Sequence, residues 1–228
     1  MPRGAAGAGI IAAMASLRLL PEPADARTRL AMLRMFFEQS GVSLIAAALL
    51  LVMHAAYAAD RVALPVLAAW VAAFAVLLAV RLAWRRTVMH RDDARLATEA
   101  DGWTRRADIG AALTGVLWAA ALAMVFDPAV PATQMYAAML ACITCVASIN
   151  VMAPLPRAFL ALMLPVALTL AALFAGLGSL VGLYDAGLAL AGAALATALL
   201  LRHTRLLHDS HAMRFEREAL LAQTQAAR

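Results

Sequence analysis

Few residues in this sequence could do chemistry, and most of them lie in apolar surroundings. His54 stands inside the run GVSLIAAALLLVMHAAYAA. An ionisable side chain in such a run is a functional candidate by default. It could hold a metal, a haem or a proton. It could equally be a neutral imidazole hydrogen-bonded to a neighbouring helix. Cys142 and Cys145 form C-I-T-C. On a helix, residues three apart share a face. Two sulfur ligands there could bind a thiophilic metal, with Met135 or Met139 and His54 nearby, or undergo redox exchange. As small apolar residues they also suit a membrane helix without any such role. Asn150, beside Ser148, needs a polar partner in lipid. That partner is a neighbouring helix or a ligand. These residues fix no cofactor and assign no metal ion.

The elements that must carry them are set by composition. The chain is 64% hydrophobic and 14% charged, with a mean hydropathy of +0.81. Soluble domains carry roughly 25% charged residues, so this is a membrane protein. A bilayer core of about 30 Å needs about 20 apolar residues in helix. Six such runs are present: 41–59, 62–83, 107–126, 132–153, 155–177 and 181–201. Each is too long for a barrel strand and none alternates with period two. The expected fold is all-α and polytopic, with six transmembrane helices and a cytoplasmic C-terminal helix. The expected divisions are a disordered tail over 1–25, an interfacial helix over 26–40, the six-helix module over 41–201 and a signalling helix over 202–228.

Orientation follows from the cations. All 19 are arginine. If the spans alternate, every one except Arg61 falls on the side of the two termini. The positive-inside bias therefore places both termini in the cytoplasm of a bacterial inner membrane. The high isoelectric point reflects this topology and contact with anionic headgroups rather than nucleic-acid binding. Two cysteines inside one span make no disulfide scaffold. The N-terminal MPRGAAGAGIIAAMASLRLL reads as a tail, with Met1 or Met14 as the start. Leu30, Leu33, Met35, Phe36 and Phe37, interleaved with Arg27, Arg29 and Arg34, suit a helix lying on the inner surface. The loops are too short for an extracellular sensory domain. The long one, Arg85 to Arg106, suggests a short charged helix with Trp103 at the interface.

Small residues four apart, Ala111-xxx-Gly115-xxx-Ala119 in the third span and Gly187-xxx-Ala191 and Gly192-xxx-Ala196 in the sixth, favour close helix packing. Pro165 is expected to kink the fifth span. Asp108 and Asp185 lie near helix ends, and Arg81 can snorkel to the inner interface. The sixth span carries a further pattern. Leu199, Leu206, Met213 and Leu220 recur every seven residues, and the facing seam position is polar: His203, Ser210, Arg217 and Thr224. No proline and no glycine interrupts the run after Gly192. One helix can therefore leave the membrane and continue for roughly 25 residues, or ~40 Å. With one apolar position per heptad it reads as a weak parallel dimer helix. Two packings of similar energy can be switched by a small bias.

A resemblance gives this helix a context. PRAFLALMLPVALTLAAL, the sixth span, and LLHDSHAMRFEREALLAQTQAAR resemble the membrane input region of proteobacterial sensor histidine kinases. TGVLWAAALAMVF followed by DP fits as well. The likeness covers residues 35 to 228. In that family the multi-span region ends in a helix similar to R-F-E-N-E-A-L, which enters the dimerisation and kinase domains. Similar modules precede diguanylate cyclases. Arg217 stands where asparagine is usual, and Thr224 where leucine is usual. His208 and His211 lack the acidic residue, leucine and proline of a phosphoacceptor box. No ATP-binding box, cyclase motif, G-x-S-x-G, H-E-x-x-H or Walker loop occurs. The resemblance implies a non-enzymatic sensor module, either truncated or acting through a partner kinase or cyclase domain. It would form a homodimer through the C-terminal helix, with the bilayer as its other partner. Leu206, Met213 and Leu220 would be the signalling positions. Two rivals remain: a small transporter or channel, and a metal- or haem-binding membrane protein built on His54, Cys142, Cys145 and Asn150.

Overall fold

Six helices fill the described part of the chain, residues 26–226 of a computed structural model. They are α1 (Ala26–Ala58), α2 (Leu64–Met89), α3 (Asp93–Val125), α4 (Pro131–Met152), α5 (Pro156–Ala175) and α6 (Leu180–Ala226). No strand occurs among the described residues. Each helix is long and apolar enough to cross a bilayer. The chain is therefore an all-α, multi-pass membrane protein. The expected N-terminal tail, 1–25, lies outside the described residues.

Local chemistry explains the turns. α2, α4 and α5 each carry proline in the first turn, where a missing N–H leaves nothing unpaired. Asp92 caps α3, its carboxylate accepting from the Arg95 N–H at 2.9 Å. Gly178 adopts φ +65° between α5 and α6, a conformation open to glycine without strain. Ser179 then accepts from the Gly182 N–H at 3.0 Å to start α6. Pro165 sits inside α5, which is continuous from Pro156 to Ala175.

Three boundaries differ from the sequence expectation. The segment 26–40 is not a separate interfacial helix but the first part of α1, which runs unbroken for 33 residues. Its apolar side chains face protein rather than lipid: Leu33, Phe36 and Phe37 are buried against Trp103 and Phe159. The charged stretch 85–106 holds no helix of its own. Its residues end α2 and begin α3, and Trp103 is buried, edge-on to Phe37 at 6.1 Å. The tail is not a separate unit either, because α6 continues for 47 residues, ~70 Å at 1.5 Å per residue.

α3 and α5 form the most extensive helix pair, and α6 packs chiefly on α5. The α3–α5 contact depends on Gly115. A Cβ there would lie 2.9 Å from Leu162 Cα and would run into the Leu162 carbonyl oxygen. Ala111 and Ala119, one turn to either side, are buried on the same seam. The corresponding expectation for the sixth span fails in part: Gly187 and Gly192 have nothing within 4 Å and turn away from the bundle. Only Ala196, of that set, is buried.

The arginine-rich end is stapled by polar contacts. Arg34 pairs with Asp93 at 2.6 Å and donates to the Arg91 carbonyl at 2.9 Å. This joins α1 to the α2–α3 turn. Arg91 bonds Glu99, which also accepts from the Trp103 indole N–H at 3.0 Å. Arg106 lies over the same indole at 4.4 Å. The Arg91 guanidinium, and then the Trp103 N–H, hold the Glu99 carboxyl below its ordinary range. A carboxylate with a lowered pKa stabilises the fold above that range and loses its contribution as pH falls through the folded-state pKa. We expect the Trp103 indole N–H resonance to stay fixed from pH 7 down to the ordinary carboxylate range and to shift below it. In Glu99→Gln that acid transition should be missing. An unchanged transition in the variant would assign it to another group.

Candidate functional site

The candidate residues fall into three separate places. His54 is fully buried, 0% exposed, in the half of the bundle away from the arginine-rich end. Tyr136 Oη lies 3.1 Å from its Nδ1. Its ring lies 4.9 Å from Trp70 and 6.3 Å from Trp118, while Tyr136 stacks on Tyr57 at 3.8 Å. Arg61 caps the stack, its guanidinium 4.2 Å from the Tyr57 ring centre. His54 Nε2 is buried without a hydrogen-bond partner. The imidazole is thus built into an aromatic cluster that closes this half of the bundle.

The cysteine pair is elsewhere. Cys142 is exposed and Cys145 half-buried. Cys145 packs against the cluster at the arginine-rich end, whereas His54's neighbours Trp70 and Trp118 belong to the other cluster. Met135 and Met139, the suggested thioether partners, are exposed. No group of three metal-ligating side chains occurs among the described residues. The structure therefore does not bring His54, Cys142 and Cys145 to one site.

Asn150 belongs to a third place, which the sequence did not reveal. A cavity of about 290 Å³ lies between α1, α2, α3 and α4, with Leu162 of α5 at its edge. Arg81 projects into it from α2. Thr114 and Trp118 come from α3, and Thr144, Ser148 and Asn150 from α4. Val42, Ala46, Ala47 and Leu50 of α1 make its apolar wall. The hydroxyl protons are used within their own helices: Thr144 donates to Leu140 O at 2.8 Å, Ser148 to Thr144 O at 2.6 Å, and Thr114 to Gly110 O at 2.7 Å. Arg81 Nη1 donates to Thr114 Oγ1 at 3.0 Å. Arg81 is in no ion pair among the described residues. Thr144 and Ser148, four apart on one face, were the available signal. They became informative only once α2 had placed an arginine opposite them.

The positions expected to carry a signal, Leu206, Met213 and Leu220, lie on α6. Thr204 is fully buried and donates to the Ala153 carbonyl at 2.7 Å. Leu207 packs on the same cluster. These contacts fix the root of the tail on the α4–α5 turn. Leu206 and Met213, by contrast, are 59% and 61% exposed. Leu220 lies in the same helix, its side chain outside the described residues.

Fold and sites together define a six-helix membrane protein with an interhelical cavity and a long projecting helix. Comparison with known protein families, characterised proteins and solved structures gave no match.

Proposed function

We propose that this chain is the membrane input module of a signal-transduction protein of the histidine kinase type. It sits in a bacterial inner membrane with both termini in the cytoplasm. It receives a lipid-soluble or membrane-borne signal within the bundle and passes it along α6. It has no catalysis of its own. Its output runs through a kinase or cyclase domain, and its own partner is a second copy held at the Leu206–Met213–Leu220 seam.

One observation carries this reading. α6 is a single helix from the bundle to Ala226, anchored at Thr204 and open at Leu206 and Met213. A helix needs only about 20 residues to cross lipid, so both leucine-spaced positions lie past the bilayer. Exposed apolar side chains at a seven-residue spacing in water favour a partner helix. The arginine distribution supports the orientation. The aromatic cluster around His54, Trp70 and Trp118 packs the half of the bundle away from the arginine-rich end.

The test is a chimera. The chain is joined after Arg228, in heptad phase, to the dimerisation and kinase domains of a sensor histidine kinase. Autophosphorylation is measured in membranes. Inserting seven residues after Ser210 restores the seam, whereas two or five rotate it by roughly 140–200° to the far face. We expect output to survive the first insertion and to be lost or inverted by the others. Equal output in every phase would remove α6 as the transmitter.

A further inference from the structure

We propose that the cavity around Arg81 binds a single-chain carboxylate amphiphile, a free fatty acid, with its head on the Arg81 guanidinium. The inference rests on the sensor reading in one respect only: it names that module's signal.

The first argument is charge. Arg81 lies within the apolar part of α2, where a cation is costly and marks a ligand path or a partner. Its one hydrogen bond in the described structure is to a neutral hydroxyl, Thr114. Arg85, one turn on, is also turned inward. It donates from Nε to the Phe37 carbonyl at 3.1 Å and lies beside Gly41. Neither is in an ion pair among the described residues. Arg81 also borders a second, much smaller gap that Arg106 lines from α3. Arg81 is thus the arginine of the cavity, with Arg85 one turn on along α2, while Arg106 is exposed and lies over Trp103. Like charges one helical turn apart repel, and an oxyanion at the cavity would relieve that repulsion. A planar guanidinium matches a carboxylate with two parallel hydrogen bonds. The Thr114, Thr144 and Ser148 hydroxyls donate within their own helices, while the Ser43 hydroxyl on α1 also lines the cavity as a further donor. Arg81, with the Asn150 amide and the Ser43 hydroxyl, is left as the donor set facing the cavity.

The second argument is shape. The α1 wall is mainly aliphatic, Val42, Ala46, Ala47 and Leu50, with Ser43 its one polar residue. Val42 and Asn150, on either side of the mouth, are exposed. On the proposed topology this opening between α1 and α4 faces lipid, since both residues fall within apolar runs of those helices. Its volume, about 290 Å³, is that of roughly ten water molecules at ~30 Å³ each. This suits one acyl chain and is small for two. Trp118 lines the cavity, so an acyl chain within it would approach the indole.

The experiment uses the full chain in uncharged maltoside micelles, with palmitate brominated near its methyl end as the probe. Bromine quenches tryptophan at short range, and Trp118 is the tryptophan lining the cavity. We expect saturable quenching that unlabelled palmitate reverses and palmitate methyl ester does not. Arg81→Gln should weaken binding at least tenfold, and Arg81→Lys should restore part of it. Ala147→Phe fills the cavity from α4 without altering any charge and should also abolish quenching; circular dichroism verifies that each variant is folded. Quenching that is non-saturable, equal for the ester, or unchanged in folded Arg81→Gln and Ala147→Phe would overturn the site. Competition by phosphatidylglycerol as strong as by palmitate would overturn the single-chain assignment in favour of a phospholipid headgroup. Disulfide cross-linking at Met213→Cys, with and without palmitate, separates the two readings. Binding without any change in cross-linking would sink the sensor role and leave the site. Cross-linking that persists in a chain that binds no palmitate would do the reverse.

Discussion

Gly115→Leu should prevent the bundle from assembling. The position is the closest approach of α3 to α5, the most extensive helix pair. What a side chain would strike there is backbone: the Leu162 carbonyl oxygen, and Leu162 Cα at 2.9 Å. A flexible side chain could rotate away, but a helix backbone can only retreat as a whole. The expected cost lies at or beyond the top of the ~1–3 kcal/mol typical of overpacking. Packing is the main force between helices in lipid, since burial from water no longer drives their association. Even Gly115→Ala should destabilise, although alanine gains about 1 kcal/mol over glycine in helix propensity. Gly102→Ala is the matched comparison on the same helix. Nothing lies within 4 Å of a Cβ there, so it should be neutral or stabilising by ~0.5–1 kcal/mol. Unfolding in mixed detergent–dodecyl sulfate micelles reads both. Equal stability of the two alanine variants would mean that α3 and α5 do not meet at Gly115.

His54→Ala should be the most damaging polar substitution, and His54→Phe should be tolerated. The imidazole is wholly enclosed and holds Trp70, Trp118 and Tyr136 around it. Truncation leaves a void and takes away the Tyr136 hydroxyl's partner, for an expected loss of ~2–5 kcal/mol. Phenylalanine restores the volume and aromatic contacts. It forfeits only the bond to Tyr136, which is half-buried, at a cost of about 0.5–1.5 kcal/mol. Signalling output in the kinase chimera should then match that of the unaltered chain. A folded His54→Phe protein without output would instead give the histidine a role in titration or ligand binding.

The parts of the fold that the sequence disclosed are those fixed by composition and local chemistry. Long apolar runs imposed the six spans; the prolines at 131 and 156 and the capping Asp92, which fix the helix starts in the structure, were not read as such from the sequence. The Ala111–Gly115–Ala119 seam was visible because close approach demands small residues at fixed spacing. The same pattern around Gly187 and Gly192 misled, since small residues four apart arise readily in an alanine-rich helix and face outward here. The 26–40 segment misled for a related reason. An arginine-flanked apolar face looks the same whether it meets headgroups or a protein core, and the choice rests on Trp103 and Phe159, distant in the chain. The cavity was hidden in the same way. Arg81 alone reads as a snorkelling cation. It becomes a candidate binding group when Thr114, Thr144 and Ser148 from two other helices enclose it. Asn150 was singled out correctly as polar, without the arginine that gives it a context.

The central claim is that two copies of α6 meet along the Leu206–Met213–Leu220 seam and that the seam carries the signal. Single cysteines placed at each position from Leu199 to Leu220, in a chain with Cys142 and Cys145 replaced by alanine, test it directly in native membranes. The account predicts disulfide formation that peaks at 199, 206, 213 and 220 and falls away at His208 and His211, two and five residues past Leu206 and so on the far face of the helix. A flat profile, or no cross-linking at Met213→Cys, would contradict it.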